Sequence, residues 1–251
     1  MGYDFHVGAA GPKLIEVNTN AGGAFLNALL AKAQRACCPE VEQALKLPLV
    51  SNFDSELIRM FHAEWAIQRG GEKLKRIAIV DDEPESQYLY PEFLLARQTF
   101  MRHGIDAIVV DGSQLHFRQS QLWAGEEPIG LVYNRLVDFS LERPQHAALH
   151  EAYLAGAVVI TPNPRNHALL ADKRNLTLLS DAARLSSLGL PAELAGQSAQ
   201  VPRTVRVSPN NATELWQARK DFFFKPATGH GAKAVYRGDK LTRGVWQQIL
   251  A

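Results

Sequence analysis

Two short apolar segments separated by a helix-length stretch constrain the fold more than any other feature of this 251-residue chain. The first, Arg76-Ile77-Ala78-Ile79-Val80, ends in Asp81-Asp82, and the second, at residues 105–110, ends in Asp111-Gly112. Apolar runs of this length are typical of strands that are buried on both faces. Between them, Pro91 can open a helix. Strand, helix and strand in this order predict a parallel crossover unit and therefore an α/β fold.

Shorter elements are expected on both sides of this unit. Residues 3–7 and 13–18 have the pattern of two strands joined by a turn, and a helix is expected after Gly22-Gly23. Asn163-Pro164 has the pattern of an N-cap followed by proline at the first helical position, and the helix it opens is expected to carry Lys173. Further strands are expected at residues 115–123, 129–134, 157–160, 201–207, 221–225 and 232–236, and further helices after Asp54 and Pro144 and at residues 211–219 and 242–250.

The composition excludes several classes of protein. The chain has 27 basic and 26 acidic residues and a formal net charge of +1, which gives no reason to expect a nucleic acid or an anionic membrane as partner. No apolar run is long enough to span a membrane. The two cysteines, Cys37 and Cys38, are adjacent and do not form the framework of a disulfide-rich protein. We therefore expect a cytoplasmic protein.

The segment from Leu14 to Gly23 carries the first candidate site. In a strand, residues two apart point to the same face, so Glu16 and Asn18 present a carboxylate and an amide oxygen side by side. Hard cations such as Mg²⁺ take oxygen ligands of this kind. The following glycines allow close approach of the backbone to a ligand. Taken alone, the pattern is also typical of a surface strand with polar residues on its solvent face.

Lysines at two other places are candidates for phosphate binding. Lys225 ends the apolar run Phe222-Phe223-Phe224 and precedes a loop that contains Gly229 and Gly231. A lysine on rigid structure is a suitable point charge for phosphate, and N–H groups of a glycine loop can cover phosphate oxygens. Lys173 would lie on a helix. Alone, each lysine is also compatible with a purely structural or solvated role.

Two further groups lie at predicted strand ends. Arg135, in Tyr133-Asn134-Arg135, suits bidentate contact with a carboxylate or phosphate, but taken alone it is more typical of an ion pair at the surface. Asp81-Asp82-Glu83 lies where open α/β sheets bind ligands, although acidic residues are common in such loops. The histidines have no metal-binding spacing, and the dinucleotide glycine fingerprint and the nucleophile elbow are absent from the sequence.

The order of these motifs resembles a known family. Ile-Glu-Val-Asn-Thr, an α/β unit ending in Val-Tyr-Asn-Arg, Pro-Asn-Pro before Asp-Lys, and Phe-Phe-Lys-Pro with glycines are similar to the eukaryotic-type glutathione synthetase and related circularly permuted ATP-grasp proteins. The resemblance implies a parallel α/β substrate-binding domain plus a partial ATP-grasp fold whose second lobe is incomplete. Three parts follow from it: residues 1–50 with the metal site, 51–162 as the substrate-binding domain, and 163–251 as an ATP-grasp lobe.

The resemblance also implies a role for each candidate residue, with ATP and Mg²⁺ as the cofactors. It implies that Glu16 and Asn18 bind Mg²⁺ and that Lys173 and Lys225 contact the phosphates of ATP, near the glycines of the loop. Arg135 would contact the substrate, and Thr19 and Asn20 would lie beside it. The implied activity is ATP-dependent joining of a small-molecule carboxylate to an amine through an acyl phosphate.

The chain departs from the family in two respects. The stretch Ala227-Thr228-Gly229-His230 lacks the acidic residue that the family uses as a metal ligand. The family also continues into a second lobe, which a separate chain could supply here, so the sequence predicts an incomplete and poorly active enzyme. Two alternatives stay open: a non-catalytic remnant that binds a small ligand, and an ATP-grasp phosphotransferase.

Overall fold

The computed structural model describes residues 1–37, 53–229 and 234–250. The chain forms two compact units. The first consists of Met1–Thr19 and Ala168–Ala251, and the second of Asn20–His167. The division into three parts made from the sequence stays a prediction. Its boundaries differ from those of the compact units, because the helix after Gly22-Gly23 belongs to the same unit as the parallel sheet.

A four-stranded parallel sheet forms the centre of the second unit, which confirms the α/β fold class. The strands are β3 (Arg76–Asp81), β4 (Asp106–Asp111), β8 (Leu131–Asn134) and β9 (Val159–Thr161). Their order in the sheet is β4-β3-β8-β9, and every neighbouring pair is parallel. The helices that the structure describes in this unit include α1 (Ala24–Cys37), α2 (Phe53–Arg69), α3 (Tyr90–Arg102) and α4 (Ala147–Leu154).

Burial on both faces explains the continuous apolar sequence of β3. Ile77 and Ile79 pack into one cluster with aromatic residues of α2 and α3. Ala78 and Val80 pack on the opposite face with residues of α4 and of a small antiparallel sheet. All four side chains are inaccessible to solvent. Because both faces are covered, the polar groups of this sheet lie at the ends of its strands, with the ion pair of Arg76 and Asp106 at the amino ends and Asp81 and Asp111 at the carboxyl ends.

The small antiparallel sheet corrects one prediction. Residues 115–123 were expected to form a single strand, but they form a hairpin of β5 (Leu115–Arg118) and β6 (Gln121–Ala124), which β7 (Glu127–Ile129) extends. Gln119 and Ser120 both have positive φ, at 52° and 57°. Two consecutive residues with left-handed φ are typical of a tight two-residue turn, which reverses the chain.

In the first unit, a hairpin precedes a series of short helices. Strands β1 (Gly2–Gly8) and β2 (Gly11–Asn18) are antiparallel, as predicted. The second pair of strands, β10 (Phe223–Phe224) and β11 (Tyr236–Arg237), packs with a small core of Leu215, Phe224, Leu241 and Trp246. The helices of this part are α5 (Pro164–Leu170, which spans the boundary between the units), α6 (Asn175–Leu179), α7 (Ala182–Ser187), α8 (Ala192–Gly196), α9 (Ala212–Gln217) and α10 (Arg243–Leu250).

Two predictions for the C-terminal half were wrong. No strand forms at residues 201–207, a described segment that has no regular structure. Lys173 does not lie on a helix, because α5 ends at Leu170. The Asp172 side chain accepts a hydrogen bond from the backbone N–H of Arg174 at 2.8 Å, a local contact that competes with helix formation. None of the helices in the described ranges is both long and apolar enough to cross a membrane.

A buried carboxylate joins α1 to α3. Glu92 is fully buried, and its two oxygens accept hydrogen bonds from the backbone N–H groups of Phe25 and Leu26, at 3.1 and 2.9 Å. These N–H groups lie in the first turn of α1 and have no partner within the helix. A carboxylate at this end also interacts favourably with the helix dipole.

We expect Glu92→Ala to lower the free energy of unfolding by about 2–4 kcal/mol, because two buried N–H groups lose their charged acceptor. Chemical denaturation followed by circular dichroism measures this change. Glu151→Ala is the matched control, since Glu151 is an exposed glutamate on α4 of the same unit. Equal stability of the two variants would contradict the role of Glu92.

Candidate functional site

One face of the hairpin of β1 and β2 is polar. Asp4 pairs directly with Glu16, and Asn18 lies two residues further along β2. The register shifts between Asp4 and Phe5, which leaves Ile15 as an extra residue in β2. Side chains of directly paired residues project from the same face of a sheet, so the carboxylates of Asp4 and Glu16 are neighbours.

Both candidate lysines contact the carboxylate of Glu16. Lys173 Nζ lies 3.0 Å from Glu16 Oε1, and Lys225 Nζ lies 3.7 Å from Glu16 Oε2. The side chains of Glu16, Lys173 and Lys225 are 24%, 13% and 23% exposed, so the cluster is largely shielded from water. Three residues that are far apart in the sequence therefore form one charged cluster, which we call the Glu16 cluster.

Backbone contacts position the two lysines. The N–H of Lys173 donates to the carbonyl oxygen of Ala227 at 2.9 Å, and its Nζ donates to the carbonyl oxygen of Gly229 at 3.2 Å. Lys225 follows β10 directly, and its Nζ donates to the carbonyl oxygen of Ile15 at 3.3 Å. The turn that contains Lys173 is thus attached to the loop after Lys225. Gly229 has a φ of 138°, which favours glycine, whereas Gly231 lies outside the described residues.

Asp4 is a site residue that the sequence analysis missed. Its Oδ2 accepts a hydrogen bond from Asn18 Nδ2 at 3.1 Å, so Asp4 contacts one predicted metal ligand and is paired with the other. The two carboxylates and the amide oxygen of Asn18 are hard oxygen donors, which are the ligands that Mg²⁺ prefers. The alternation of polar and apolar residues in Tyr3-Asp4-Phe5-His6-Val7 was a signal for this face, once the register of the hairpin was known.

The remaining predicted site residues lie elsewhere. Thr19 is buried at the end of the first segment of the first unit. In the second unit, Arg135 Nη1 donates to Asn20 Oδ1 at 2.5 Å and to the carbonyl oxygen of Ala21 at 3.1 Å. Asn20 Nδ2 in turn donates to the carbonyl oxygen of Leu136 at 3.2 Å. Asn20 therefore positions the guanidinium of Arg135.

The Nε atom of Arg135 remains available for a further contact. Arg135 is only 7% exposed, and its buried Nε has no hydrogen-bond partner within the described part of the chain. Its guanidinium lies over the ring of Tyr133, with 5.3 Å between Cζ and the ring centroid. A Cβ atom added at Gly22 would lie 3.1 Å from Arg135 Nη2 and 2.6 Å from Leu89 Cδ1, so glycine permits this close packing.

A second polar network lies at the carboxyl ends of the parallel strands. The ring of His146 is fully buried, with Nε2 at 2.7 Å from Asp82 Oδ1 and Nδ1 at 2.7 Å from Asp138 Oδ2. Arg143 Nη1 donates to the other oxygen of Asp82 at 3.1 Å. Burial alone would raise the pKa of Asp138, but the backbone N–H of Arg143 and the ring of His146 together lower it. No spacing rule connects His146 and Asp138 to Asp82, so this network was not predicted from the sequence.

Asp81 has a strongly shifted pKa. It ends β3 beside its register partner Asp111, and its Oδ1 accepts the backbone N–H of Asp82 at 2.9 Å. Burial raises the pKa of Asp81 to about 6, while the Asp82 N–H and the charge of Arg135 oppose the shift and the carboxylates of Asp82 and Asp111 add to it. An acid with a pKa near 6 in the folded state can exchange protons close to neutral pH.

Across the residues that the structure describes, no group of three or more histidine, cysteine, aspartate or glutamate side chains is arranged to hold a metal ion. The donor set of the hairpin is of another kind, with two carboxylates and one amide. Comparison with known protein families finds none that matches the chain, and comparison with curated proteins finds no match either.

The shifted pKa of Asp81 predicts a pH-dependent stability. Its pKa in the folded state lies above the unfolded value of 3.8, so its ionisation destabilises the fold as pH rises from about 4 to 6, and the full cost is present above pH 6. We expect Asp81→Asn, which stays neutral, to be more stable than the unsubstituted chain by about 1–3 kcal/mol at pH 8 and about equally stable at pH 4.

Denaturant unfolding at the two pH values measures this difference. Glu85→Gln, a change at an exposed carboxylate near the same strand end, is the control. A difference between Asp81→Asn and the unsubstituted chain that does not change with pH would contradict the shifted pKa.

Proposed function

We propose that the chain is an ATP- and Mg²⁺-dependent carboxylate–amine ligase of the circularly permuted ATP-grasp type, similar to glutathione synthetase. The observation that supports this most strongly is the Glu16 cluster. Glu16, Lys173 and Lys225 come from separate sequence motifs. In the structure both lysines contact the carboxylate of Glu16. The parallel α/β unit is compatible with the substrate-binding domain that the proposal requires. We place the activity in the cytoplasm.

The residues of the first unit fit a polyphosphate with a divalent cation. Two ammonium groups lie within 4 Å of one carboxylate, and ammonium groups held in this way can bind phosphate oxygens. Asp4, Glu16 and Asn18 supply oxygen atoms on the polar face of the hairpin. Mg²⁺ held there would neutralise charge on the phosphates of ATP. The two lysines would bind the transferred phosphoryl group and spread its charge.

Arg135 is the proposed contact for the substrate in the second unit. Its guanidinium is held by Asn20 and Ala21, and none of the described residues forms a hydrogen bond with its Nε. A guanidinium with a free donor is suited to an oxygen of a carboxylate. Thr19 and Asn20 are proposed to lie beside the substrate, with Asn20 acting through Arg135.

The proposed reaction has two steps. An oxygen of the substrate carboxylate attacks the γ-phosphorus of ATP, and the bond to the β–γ bridging oxygen breaks, so that ADP leaves and an acyl phosphate forms. The amine nitrogen then attacks the acyl carbon, inorganic phosphate leaves, and the nitrogen loses a proton. The carboxylate and the amine are small molecules, and a separate chain could contribute to the complete site.

We expect Lys173→Met and Lys225→Met each to weaken binding of Mg·ATP by about 10- to 100-fold, because each removes one charged contact worth about 1.5–3 kcal/mol. Isothermal titration calorimetry measures the affinities. Lys220→Met is the control, because Lys220 is an exposed lysine in the same unit. If Mg·ATP binds all four proteins equally, these lysines are not the phosphate contacts.

The chemistry is tested by trapping the activated carboxylate. With Mg·ATP, a panel of amino acids and small peptides, and hydroxylamine as the amine, a ligase should release ADP and form a hydroxamate that mass spectrometry detects. A stable phosphorylated product without hydroxamate would indicate the phosphotransferase. Binding of Mg·ATP or of a panel member without any ADP would indicate the non-catalytic binding module.

A further inference from the structure

The Glu16 cluster has a consequence that goes beyond the roles proposed for its members. The two lysines proposed to bind phosphate are already paired with the carboxylate proposed to bind the metal. Lys173 is engaged by Glu16 and by the carbonyl oxygen of Gly229, and Lys225 by Glu16 and the carbonyl oxygen of Ile15. The carboxylate of Glu16 therefore pairs with the lysines and is also the proposed metal ligand, and it cannot do both at the same time.

We infer that Glu16 is a built-in counter-anion, whose carboxylate pairs with Lys173 and Lys225 in the absence of ligands. When a divalent cation binds this carboxylate, the two lysines become free to bind a polyphosphate. This inference rests on the proposed phosphate-binding role of the two lysines. It adds an autoinhibitory contact to the site, and it makes binding of metal and of polyphosphate depend on each other.

The charges of the cluster explain why the contact inhibits. Two lysines and one glutamate leave a net charge of +1, and the carboxylate of Asp4 on the same face reduces the attraction for an anion further. A polyphosphate without metal must displace Glu16 and leave this partly buried carboxylate without its cations, which is costly. A cation without polyphosphate must displace the lysines and leave them without an anion.

When both ligands bind, each charge regains a partner. Glu16 exchanges ammonium groups for the cation, and the lysines exchange a carboxylate for phosphate oxygens. The two ligands are then coupled by one free energy, and by thermodynamic linkage each raises the affinity for the other by the same factor. The described contacts thus predict that the cation and the polyphosphate each raise the affinity of the protein for the other. This effect should be larger than the one that arises because the two ligands associate in solution.

The test uses the full chain and inorganic tripolyphosphate, with calorimetry in EDTA. We expect Glu16→Gln to bind metal-free tripolyphosphate about tenfold more tightly than the unsubstituted chain, a change of about 1.4 kcal/mol. Glu193→Gln is the matched control, because it makes the same chemical change at an exposed glutamate of the same unit. Glu193→Gln is expected to change the affinity by less than about twofold, since distant exposed charges are screened by salt.

A second arm repeats the titrations at a fixed free Mg²⁺ concentration. We expect the gain in affinity on adding Mg²⁺ to be smaller for Glu16→Gln than for Glu193→Gln, because the substituted site lacks the carboxylate that the cation takes over. Should Glu16→Gln fail to fold by circular dichroism, Glu16→Asp provides the test. Its carboxylate is one methylene shorter and withdraws from the lysines, so it should also strengthen metal-free binding.

Equal metal-free affinities of Glu16→Gln and Glu193→Gln, including no detectable binding to either, would overturn the inference. This outcome is separate from the failure of the proposed ligase. If the chain binds Mg·ATP tightly but Glu16→Gln does not bind metal-free tripolyphosphate more tightly, the ligase proposal is unaffected and the counter-anion proposal is wrong. A gain in Glu16→Gln without ligase chemistry would support the counter-anion in a polyphosphate-binding protein of another function.

Discussion

The first unit depends on one carboxylate held between two ammonium groups. Without Glu16, Lys173 and Lys225 would repel each other, because both ammonium groups lie within 4 Å of the same carboxylate. Without the lysines, Glu16 would be a partly buried charge with no cation. The hairpin at the start of the chain, the turn after α5 and the end of β10 are therefore held together by groups that need each other.

The register of the hairpin is the geometric condition for this contact. A slip of one residue would move Glu16 and Asn18 to the face that carries Tyr3 and Val17. The extra residue at Ile15 adjusts the pairing so that Glu16 lies opposite Asp4, while Phe5 still pairs with Leu14. The bulge thus separates a polar face from an apolar face over a strand pair only eight residues long.

Local patterns were sufficient for the central apolar elements, and insufficient where tertiary contacts decide. The apolar runs of β3 and β4, with a helix between them, indicated a parallel sheet correctly, because two strands of one sheet that are joined by a helix are normally parallel. The order of motifs selected Glu16, Lys173 and Lys225, which the structure brings together. The end of α5 before Lys173 could not be predicted from its N-cap, since the Asp172 side chain and the carbonyl oxygen of Ala227 decide it.

The same limit applies to the residues that were missed. Asp4 is recognisable only from the register of two strands, and His146 only from the carboxylates of Asp82 and Asp138, which approach it from two different loops. Alternation and spacing report on one element at a time. They do not reveal which groups on other elements a polar side chain contacts, and at the carboxyl edge of a parallel sheet those groups come from different loops.

The two charged networks differ in a way that bears on their use. His146 is inaccessible to solvent and bonded through both ring nitrogens, so its partners cannot be exchanged without opening the fold. In the Glu16 cluster, Lys225 lies 3.7 Å from the carboxylate of Glu16, and Lys173 divides its contacts between Glu16 and the carbonyl oxygen of Gly229.

An arginine at the position of Lys173 or Lys225 would form a planar bidentate pair with Glu16. A lysine has a flexible stem and three rotatable donors, so it can transfer from a carboxylate to a phosphate with little rearrangement of the backbone. The choice of lysine at both positions is therefore consistent with charges that exchange partners, whereas the buried histidine holds its loops in place.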